Sequence, residues 1–508
     1  MLSKVLSASL LGIEARAVEV EVDISSRGLP HFSIVGLPDA AVKESRDRVR
    51  AALKNIGVNF PLRPVTINLA PADLKKEGSA FDLPIAVGLM AAEGFLSAPS
   101  NGFIFTGELS LDGRIKPVRG ALSMALLARQ MGLKLILPGE NAGEAAVVEG
   151  VPVFGMRSLP DVIDFLNGGS TETPFETDLL QAMAENSGYE DDFSDVKGQE
   201  HAKRALEVAA AGGHNVLLIG PPGSGKTMLS KRLPTVLPPM TLDEAIETTR
   251  VHSVVGLLRE GRPLLATRPF RSPHHTISDV ALIGGGQTPR PGEVSLAHNG
   301  VLFLDELPEF KRNVLEVLRQ PIEEGAVTVS RAAASITYPA AFMLVAAMNP
   351  CPCGYFGDGR HQCTCTAGQI HRYRRKVSGP LLDRIDIHLD VPAVPYRELS
   401  TEHQGEKSGS IRQRVLKARQ KQHERFGADG IYTNGRMKTR HIKKHCKLGA
   451  DAQAILDSAM QKLALSARAY ARILKLSRTI ADMEGSADLL SHHVAEAIQY
   501  RTLDRGVF

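Results

Sequence analysis

The chain has 508 residues, is 43% hydrophobic and 23% charged, lacks Trp and carries a formal net charge of +4. That length implies about two to four domains rather than one core, and the composition is that of a globular protein. No apolar run approaches the ~20 residues needed to span a bilayer, and the scarcity of aromatics argues against base-stacking modules. Charge is uneven: residues 360–450 hold 20 Lys+Arg against 8 Asp+Glu, a net of +12, so the remainder carries −8. Such a segment suits a polyanion partner, and a solvated lysine-rich face fits the same counts.

In chain order, Lys4 followed by Val5–Ile13 and then Ala15-Arg16-Ala17 has the outline of a signal peptide. Ser7 and Ser9 break the run, Glu14 and Arg16 crowd the cleavage position, and alternation through Ala17–Val22 reads as a strand, so the chain is expected in the cytoplasm. Residues 1–168 read as a mixed α/β unit. Strands are expected at Val18–Ile24, Phe32–Val35, Val65–Leu69, Phe103–Glu108 and Leu133–Leu137, and helices at Ala40–Ile56, Leu83–Glu93, Ala121–Met131 and Leu159–Leu166. This unit resembles the Lon protease fold through Lys76-Glu77-Gly78-Ser79-Ala80-Phe81-Asp82, Thr106-Gly107-Glu108-Leu109 and the run Gly113–Gly120. Lon proteases use a Ser–Lys dyad. The likeness places Ala80 at the nucleophile position and Leu122 at the lysine position, with Ser79 and Lys116 nearby, which implies an inactive Lon-like α+β domain serving as a scaffold. Residues 169–190 are polar and acidic with little periodicity, a linker.

Residues 191–400 carry the chemistry. The apolar run Asn215–Ile219 leads into Gly220, Pro221, Pro222, Gly223, Ser224, Gly225, Lys226 and Thr227, then into a helix-permissive stretch. Strand, Gly-rich loop and helix together predict a P-loop, in which backbone N–H groups and a helix N-terminus surround phosphate oxygens. Lys226 is expected at the β- and γ-phosphates and Thr227 on magnesium. Val301-Leu302-Phe303-Leu304-Asp305-Glu306 describes a buried strand delivering acids at its end. Asp305 is expected to hold magnesium through water and Glu306 to polarise the attacking water. A third apolar strand, Phe342–Ala347, ends at Met348-Asn349-Pro350.

Phe193–Gln199 resembles the AAA+ segment that lies against adenine, Asn349 stands where AAA+ proteins place sensor 1, and Ser378–Asp386 resembles their arginine-finger segment, with Arg384 reaching a neighbouring subunit. Arg271-Ser272-Pro273-His274-His275-Thr276 and Gly284-Gly285-Gly286 fit the helix-2 insertion of the magnesium-chelatase and MCM branch. Adjacent histidines do not readily face one ion, so a metal there is disfavoured. A hairpin reads at Ala326–Ser330 and Ile336–Tyr338, with Arg331 near its tip as a phosphate contact or a solvated charge.

Between these elements Cys351, Cys353, Cys363 and Cys365 form two Cys-x-Cys pairs, a ligand set for structural zinc although tighter than the usual C-x₂₋₄-C spacing; His361 and His371 are alternative ligands, and free thiols the other reading. Residues 401–508 read as a basic helix at Ile411–Phe426 and a helical lid over 440–505. In the lid Leu465–Tyr470 resembles the sensor-2 start, placing Arg468 at the γ-phosphate, with Arg472 one turn later as its rival.

Taken whole, the order of parts resembles the ComM/YifB family of magnesium-chelatase-like AAA+ proteins, along essentially the entire chain. That resemblance implies an α/β multidomain protein: Lon-like domain, AAA+ P-loop core with helix-2 insertion, helical lid. It further implies a hexameric, ATP- and Mg2+-dependent DNA helicase promoting branch migration during integration of transforming DNA. The alternatives are a chelatase-type motor subunit and an ATP-dependent unfoldase or protease.

Overall fold

Along Glu14–Ile24 the side chains of Val18, Val20, Val22 and Ile24 are buried while Glu14, Arg16 and Asp23 are exposed, the period-2 pattern that makes a half-buried strand. In the computed structural model, which describes residues 1–96, 102–259, 261–286, 289–331, 334–394, 405–463 and 465–501, this strand, β2, sits inside a seven-stranded sheet. Its companions are β1 (Leu2–Leu11), β3 (Phe32–Val35), β4 (Val65–Ala70), β5 (Phe103–Phe105), β6 (Lys134–Pro138) and β7 (Val153–Met156), in the order β3-β4-β2-β1-β5-β6-β7. The helices Ala40–Asn55, Asp82–Ala92 and Ala121–Met131 accompany it. The chain divides into two compact units, Met1–Ser187 with Thr241–Ala266, and Gly188–Met240 with Thr267–Phe508.

Three readings of the first unit change. The signal-peptide-like start is β1, antiparallel to β2 with Leu2 opposite Asp23 and Leu11 opposite Glu14. Ser7 and Ser9 are buried in it, so its polarity does not alternate with its sides. The strand expected over Phe103–Glu108 splits. Thr106 N–H still donates to Ile136 O, but Gly107 N–H turns to Ala80 O, and Glu108–Leu109 pairs with Ile115–Lys116 in a separate ribbon. Residues 169–190 hold a helix, Leu179–Glu185, because Asp178 caps it by accepting from Gln181 N–H at 3.0 Å.

At the positions compared above with the Ser–Lys dyad, Leu122 is fully buried and its N–H donates to Glu144 Oε1 at 2.8 Å. The Ser79 hydroxyl donates to the Glu108 carboxylate rather than meeting an amine, and Lys76 Nζ donates to Pro71 O.

Val216–Ile219, Val301–Leu304 and Met343–Met348 are buried end to end, the mark of a parallel sheet covered on both faces, and they belong to a set of five strands in the second unit. These five are β8 (Val216–Ile219), β9 (Phe270–Arg271), β10 (Val301–Leu304), β11 (Met343–Met348) and β12 (Ile387–Asp390), all parallel, ordered β9-β10-β11-β8-β12. Strand β11, which leads to Asn349, therefore stands between the P-loop strand β8 and the acid-bearing β10. One hydrophobic core joins this sheet to the carboxy-terminal helices Ser408–Phe426, Ala450–Lys462, Ala467–Glu484 and Ser491–Gln499. The predicted hairpin is Ala326–Arg331 paired with Ala334–Pro339; its tip, 332–333, the junction at 400–401 and the end of the lid beyond 501 lie outside the described residues.

The basic helix resolves a question that charge left open. Its face Ile411, Val415, Ala418 and Gln422 is buried in the unit's core. Its arginines turn inward: Arg412 Nε donates to Thr235 O at 2.8 Å and Arg419 Nη2 to Ala210 O at 2.8 Å, Arg414 bridges Glu207 and Glu406, and Arg425 pairs with Asp482. This helix is a strut between core and lid rather than an open cationic face.

Candidate functional site

The loop after β8 is shaped by close approach. A Cβ on Gly220 would lie 2.1 Å from Val391 O, so no side chain fits there. Lys226, the first residue of the helix Lys226–Val236, is 8% exposed. Its ammonium donates to Gly220 O at 2.8 Å and Pro221 O at 2.9 Å, and lies 3.4 Å from both Ser224 Oγ and Asn349 Oδ1. Burial lowers its pKa, opposed by the charge of Asp305.

Next to it the Thr227 hydroxyl donates to Asp305 Oδ2 at 2.7 Å. Asp305 Oδ1 accepts from Glu306 N–H at 2.9 Å, and Glu306 itself has a left-handed φ of +52° as the chain leaves β10. The strand order thus brings Lys226, Thr227, Asp305, Glu306 and Asn349 to the carboxyl edge of one sheet, where open α/β sheets bind ligands.

Arg384 and Arg468 form a second group. Arg384 Nη2 pairs with Glu323 Oε1 at 2.6 Å and Nη1 donates to Pro380 O at 2.6 Å. Arg468, exposed at the start of Ala467–Glu484, pairs with Asp383 Oδ2 at 2.8 Å. Its rival Arg472 is engaged with Asp386. Among the described residues no hydrogen bond or ion pair joins Arg384 or Arg468 to the P-loop group.

The four cysteines converge: their sulfurs all lie within 4.8 Å of one another, with 3.3 Å for Cys351–Cys353, 3.7 Å for Cys351–Cys363 and 3.6 Å for Cys353–Cys363. A tetrahedral zinc with Zn–S of about 2.3 Å requires sulfurs about 3.8 Å apart, so the set fits a metal of that size. Backbone N–H groups of Tyr355 and Thr364 draw the Cys353 thiol down to about 5, while burial and the neighbouring sulfurs push the Cys363 and Cys365 thiols up. His361 instead contacts Asp358 at 2.9 Å, outside the sulfur cluster. Gly354 has φ +90°, and a Cβ there would lie 2.7 Å from Pro222 Cδ, so the cysteine segment abuts the P-loop directly.

Sequence reasoning gave Gln199 no part of its own and missed the parts played by Asn215 and His275. Gln199 Nε2 donates to Ser224 O at 2.6 Å, holding the P-loop from outside. Asn215 ties Leu344 N–H (2.8 Å) to Arg384 O (3.0 Å). His275 Nδ1 lies 3.3 Å from Glu306 Oε2. Each acts through tertiary proximity, and no local pattern announces it.

A parallel sheet carrying a P-loop, two acids and an asparagine to one edge has the architecture of the AAA+ class of P-loop proteins. Residues 192–399 match the family described as magnesium chelatase, subunit ChlI; residues 20–141 match that described as subunit ChlI of Mg-chelatase, and residues 405–501 the ChlI C-terminal family. The chain is 47% identical to competence protein ComM of Haemophilus influenzae over 508 residues, covering 99% of this chain and 98% of the relative. It is 46% identical to YifB of Escherichia coli over 507 residues, at 99% and 98% coverage. The magnesium-chelatase 38 kDa subunit of Rhodobacter capsulatus is 29% identical over 177 residues, 31% of this chain and 50% of that subunit. The chain belongs to the ComM/YifB family of magnesium-chelatase-like AAA+ proteins. Among the described residues no helix is long and apolar enough to cross a membrane.

Proposed function

We propose that this chain is an ATP-hydrolysing ring motor acting on DNA, a helicase promoting branch migration during integration of transforming DNA. The observation that carries the ATPase reading is the convergence of Thr227 and Asp305 at 2.7 Å beside the Lys226–Asn349 contact. Thr227 Oγ1 and Asp305 would hold Mg2+, which neutralises phosphate charge when bound. Lys226 binds the β- and γ-phosphates, Asn349 orients water, Glu306 accepts its proton, and Arg468 approaches the γ-phosphate from the lid. Arg384 acts on a neighbour's nucleotide after leaving Glu323, which makes the subunit interface part of the site. The Lon-like unit serves assembly, and its lack of an amine at Ser79 supports a non-proteolytic role.

The link to DNA and competence rests on the ComM relative and on basic charge. Because the arginines of Ser408–Phe426 pair within the fold and leave only scattered lysines such as Lys417 exposed there, the clustered exposed cations offered to phosphates are Lys438, Lys443, Lys444 and Lys447, with Arg372 and Arg375. Replacing Lys443, Lys444 and Lys447 together by Ala is expected to lower DNA affinity and reduce the slope of log K against log[salt] by about 2 to 3. Lys417→Ala on the strut helix serves as the control. The test of the whole reading is ATP-dependent strand displacement on forked and branched DNA. A protein that turns over ATP, ignores DNA and binds none at low salt is not a DNA motor, and the chelatase-type reading then takes its place.

The cysteine cluster is proposed as structural zinc bracing Asn349 and Pro222 through Pro350 and Gly354. Metal analysis of purified protein should find about one zinc per chain. Cys353→Ser with Cys363→Ser should lose it and slow turnover with little change in nucleotide affinity. Metal-free protein with full activity refutes the brace.

A further inference from the structure

The segment whose sequence reads as a linker carries an aromatic ring to a cationic cleft of the first unit. Strand β7 is the last of the seven-stranded sheet, and Phe175 N–H donates to its Val153 O at 2.7 Å, which ties the segment to the sheet edge. A Cβ on Gly143 would lie 3.9 Å from Phe175 Cε1, so the ring rests over a residue without a side chain. Phe175 is nonetheless 48% exposed, an apolar surface that folding has fixed without covering.

Phe175 is one wall of a cleft of about 500 Å3, within the span of small-molecule sites. Arg114, Lys116 and Arg157 bring three cations to it, against one acid, Glu140. Arg114 pairs with Asp112 at 2.7 Å, but both side chains are more than half exposed and the pair is weak. Lys116 and Arg157 are exposed, and among the described residues neither has an ion-pair partner. Gly155 lines the cleft because nothing larger fits: a Cβ there would lie 2.8 Å from Ala142 Cβ and 3.1 Å from Gly139 Cα.

A ligand that uses these groups is anionic and carries a flat apolar face. An inorganic anion leaves the ring unused, and a run of acidic side chains offers it nothing to stack. A nucleotide satisfies both, with its base on the ring and its phosphate among the cations. The scarcity of aromatics in the chain argues against a platform for several bases, and one ring serves one base.

We propose that this cleft binds one nucleotide unit, apart from the P-loop: the base stacks on Phe175, and the phosphate is held by Lys116 and Arg157 with Arg114 beside them. A single-stranded nucleic acid and a free nucleotide share that chemistry. The strand form rests on the DNA reading above and gives the first unit a part in holding DNA; the free form does not depend on it.

The experiment uses the full chain carrying Lys226→Ala, so that nucleotide held at the P-loop does not contribute. It measures binding of a fluorescein-labelled oligo(dT) across a salt series, binding of a fluorescent AMP analogue, and the site of photocrosslinking to an oligo(dT) that contains 5-iodouracil. Phe175→Ala is expected to weaken the oligonucleotide at least about fivefold, the lower end of one base–aromatic stack, with the salt slope unchanged. Phe175→Tyr keeps the ring and should bind as the parent chain does. Lys116→Ala with Arg157→Ala should reduce the slope of log K against log[salt] by about 1.4, that of two single-strand phosphate contacts. The crosslink should fall on Phe175. If Phe175→Ala weakens the AMP analogue and leaves the oligonucleotide unchanged, the cleft belongs to free nucleotide. Equal binding of both ligands by the parent chain and Phe175→Ala overturns the proposal. Strand displacement that is absent with Lys226 intact, while the crosslink at Phe175 persists, strikes the motor reading instead, and the two failures are thereby told apart.

Discussion

ATP turnover by the Glu306→Gln protein is expected to fall by about 10²–10⁴-fold, the usual yield of a positioned general base, while nucleotide affinity stays near wild type. The amide has the shape of the carboxylate, so the left-handed turn at residue 306 and the bond from its N–H to Asp305 are kept; what goes is the ability to take a proton. Lys226→Ala is expected to fail differently. Its buried ammonium is the cation nearest the loop's carbonyls, and removing it strips both phosphate binding and transition-state charge stabilisation. Phosphate release and binding of a fluorescent ADP analogue separate the two: Glu306→Gln binds without turning over, Lys226→Ala does neither. Turnover within tenfold of wild type in either variant would sink the motor assignment.

How much of this was readable from residues alone depends on how far apart the partners lie. The P-loop and the Asp305-Glu306 pair are legible because phosphate chemistry demands consecutive residues after a buried strand. Their meeting is not. Thr227 and Asp305 touch only because the sheet places β11 between β8 and β10, a non-local parallel pairing that periodicity does not encode. The helix Ser408–Phe426 shows the limit most sharply. Its apolar face was plain from spacing, yet whether its arginines faced polyanion or protein depended on Glu207, 207 residues from Arg414 in sequence. The cysteines were legible as a ligand set, but their abutment on Pro222 needed the fold. The first strand was obscured for the opposite reason, since Ser7 and Ser9 are polar residues on buried positions.

The largest stability effect is expected at Asp386, the buried hinge of the second unit. It accepts from Arg472 of the lid helix and from His214 Nδ1 at 3.0 Å, at the foot of the P-loop strand. His214 Nε2 lies 2.8 Å from Thr479 Oγ1 on the same lid helix. Burial tends to raise the Asp386 pKa, but Arg472 and His214 outweigh it and hold the carboxyl well below the usual carboxylate range. Asp386→Asn leaves Arg472 and the buried Lys475 without their counter-charge, a loss of about 3–5 kcal/mol, or on the order of 10 °C in the unit's melting transition. His214 is one contributor to the pH dependence, beside His388, which burial also holds well below the ordinary imidazole range. Burial lowers the His214 pKa below the unfolded value, so the folded unit keeps it neutral while the unfolded chain takes up a proton below about pH 6.5. Its contribution is therefore whole above that pH and declines as pH falls toward its folded pKa, by at most about 1.4 kcal/mol per pH unit. Calorimetry from pH 7.5 to 5 should show the second unit's transition falling in wild type and the fall flattened in His214→Gln. Because Arg384 lies two residues before Asp386 and its carbonyl is held by Asn215, the same network ties the helix Ala467–Glu484, strand β8 and Arg384 into one piece. Asp386→Asn should accordingly lower ATP turnover at temperatures below its melting transition, and full turnover there would reduce this network to a purely structural pairing.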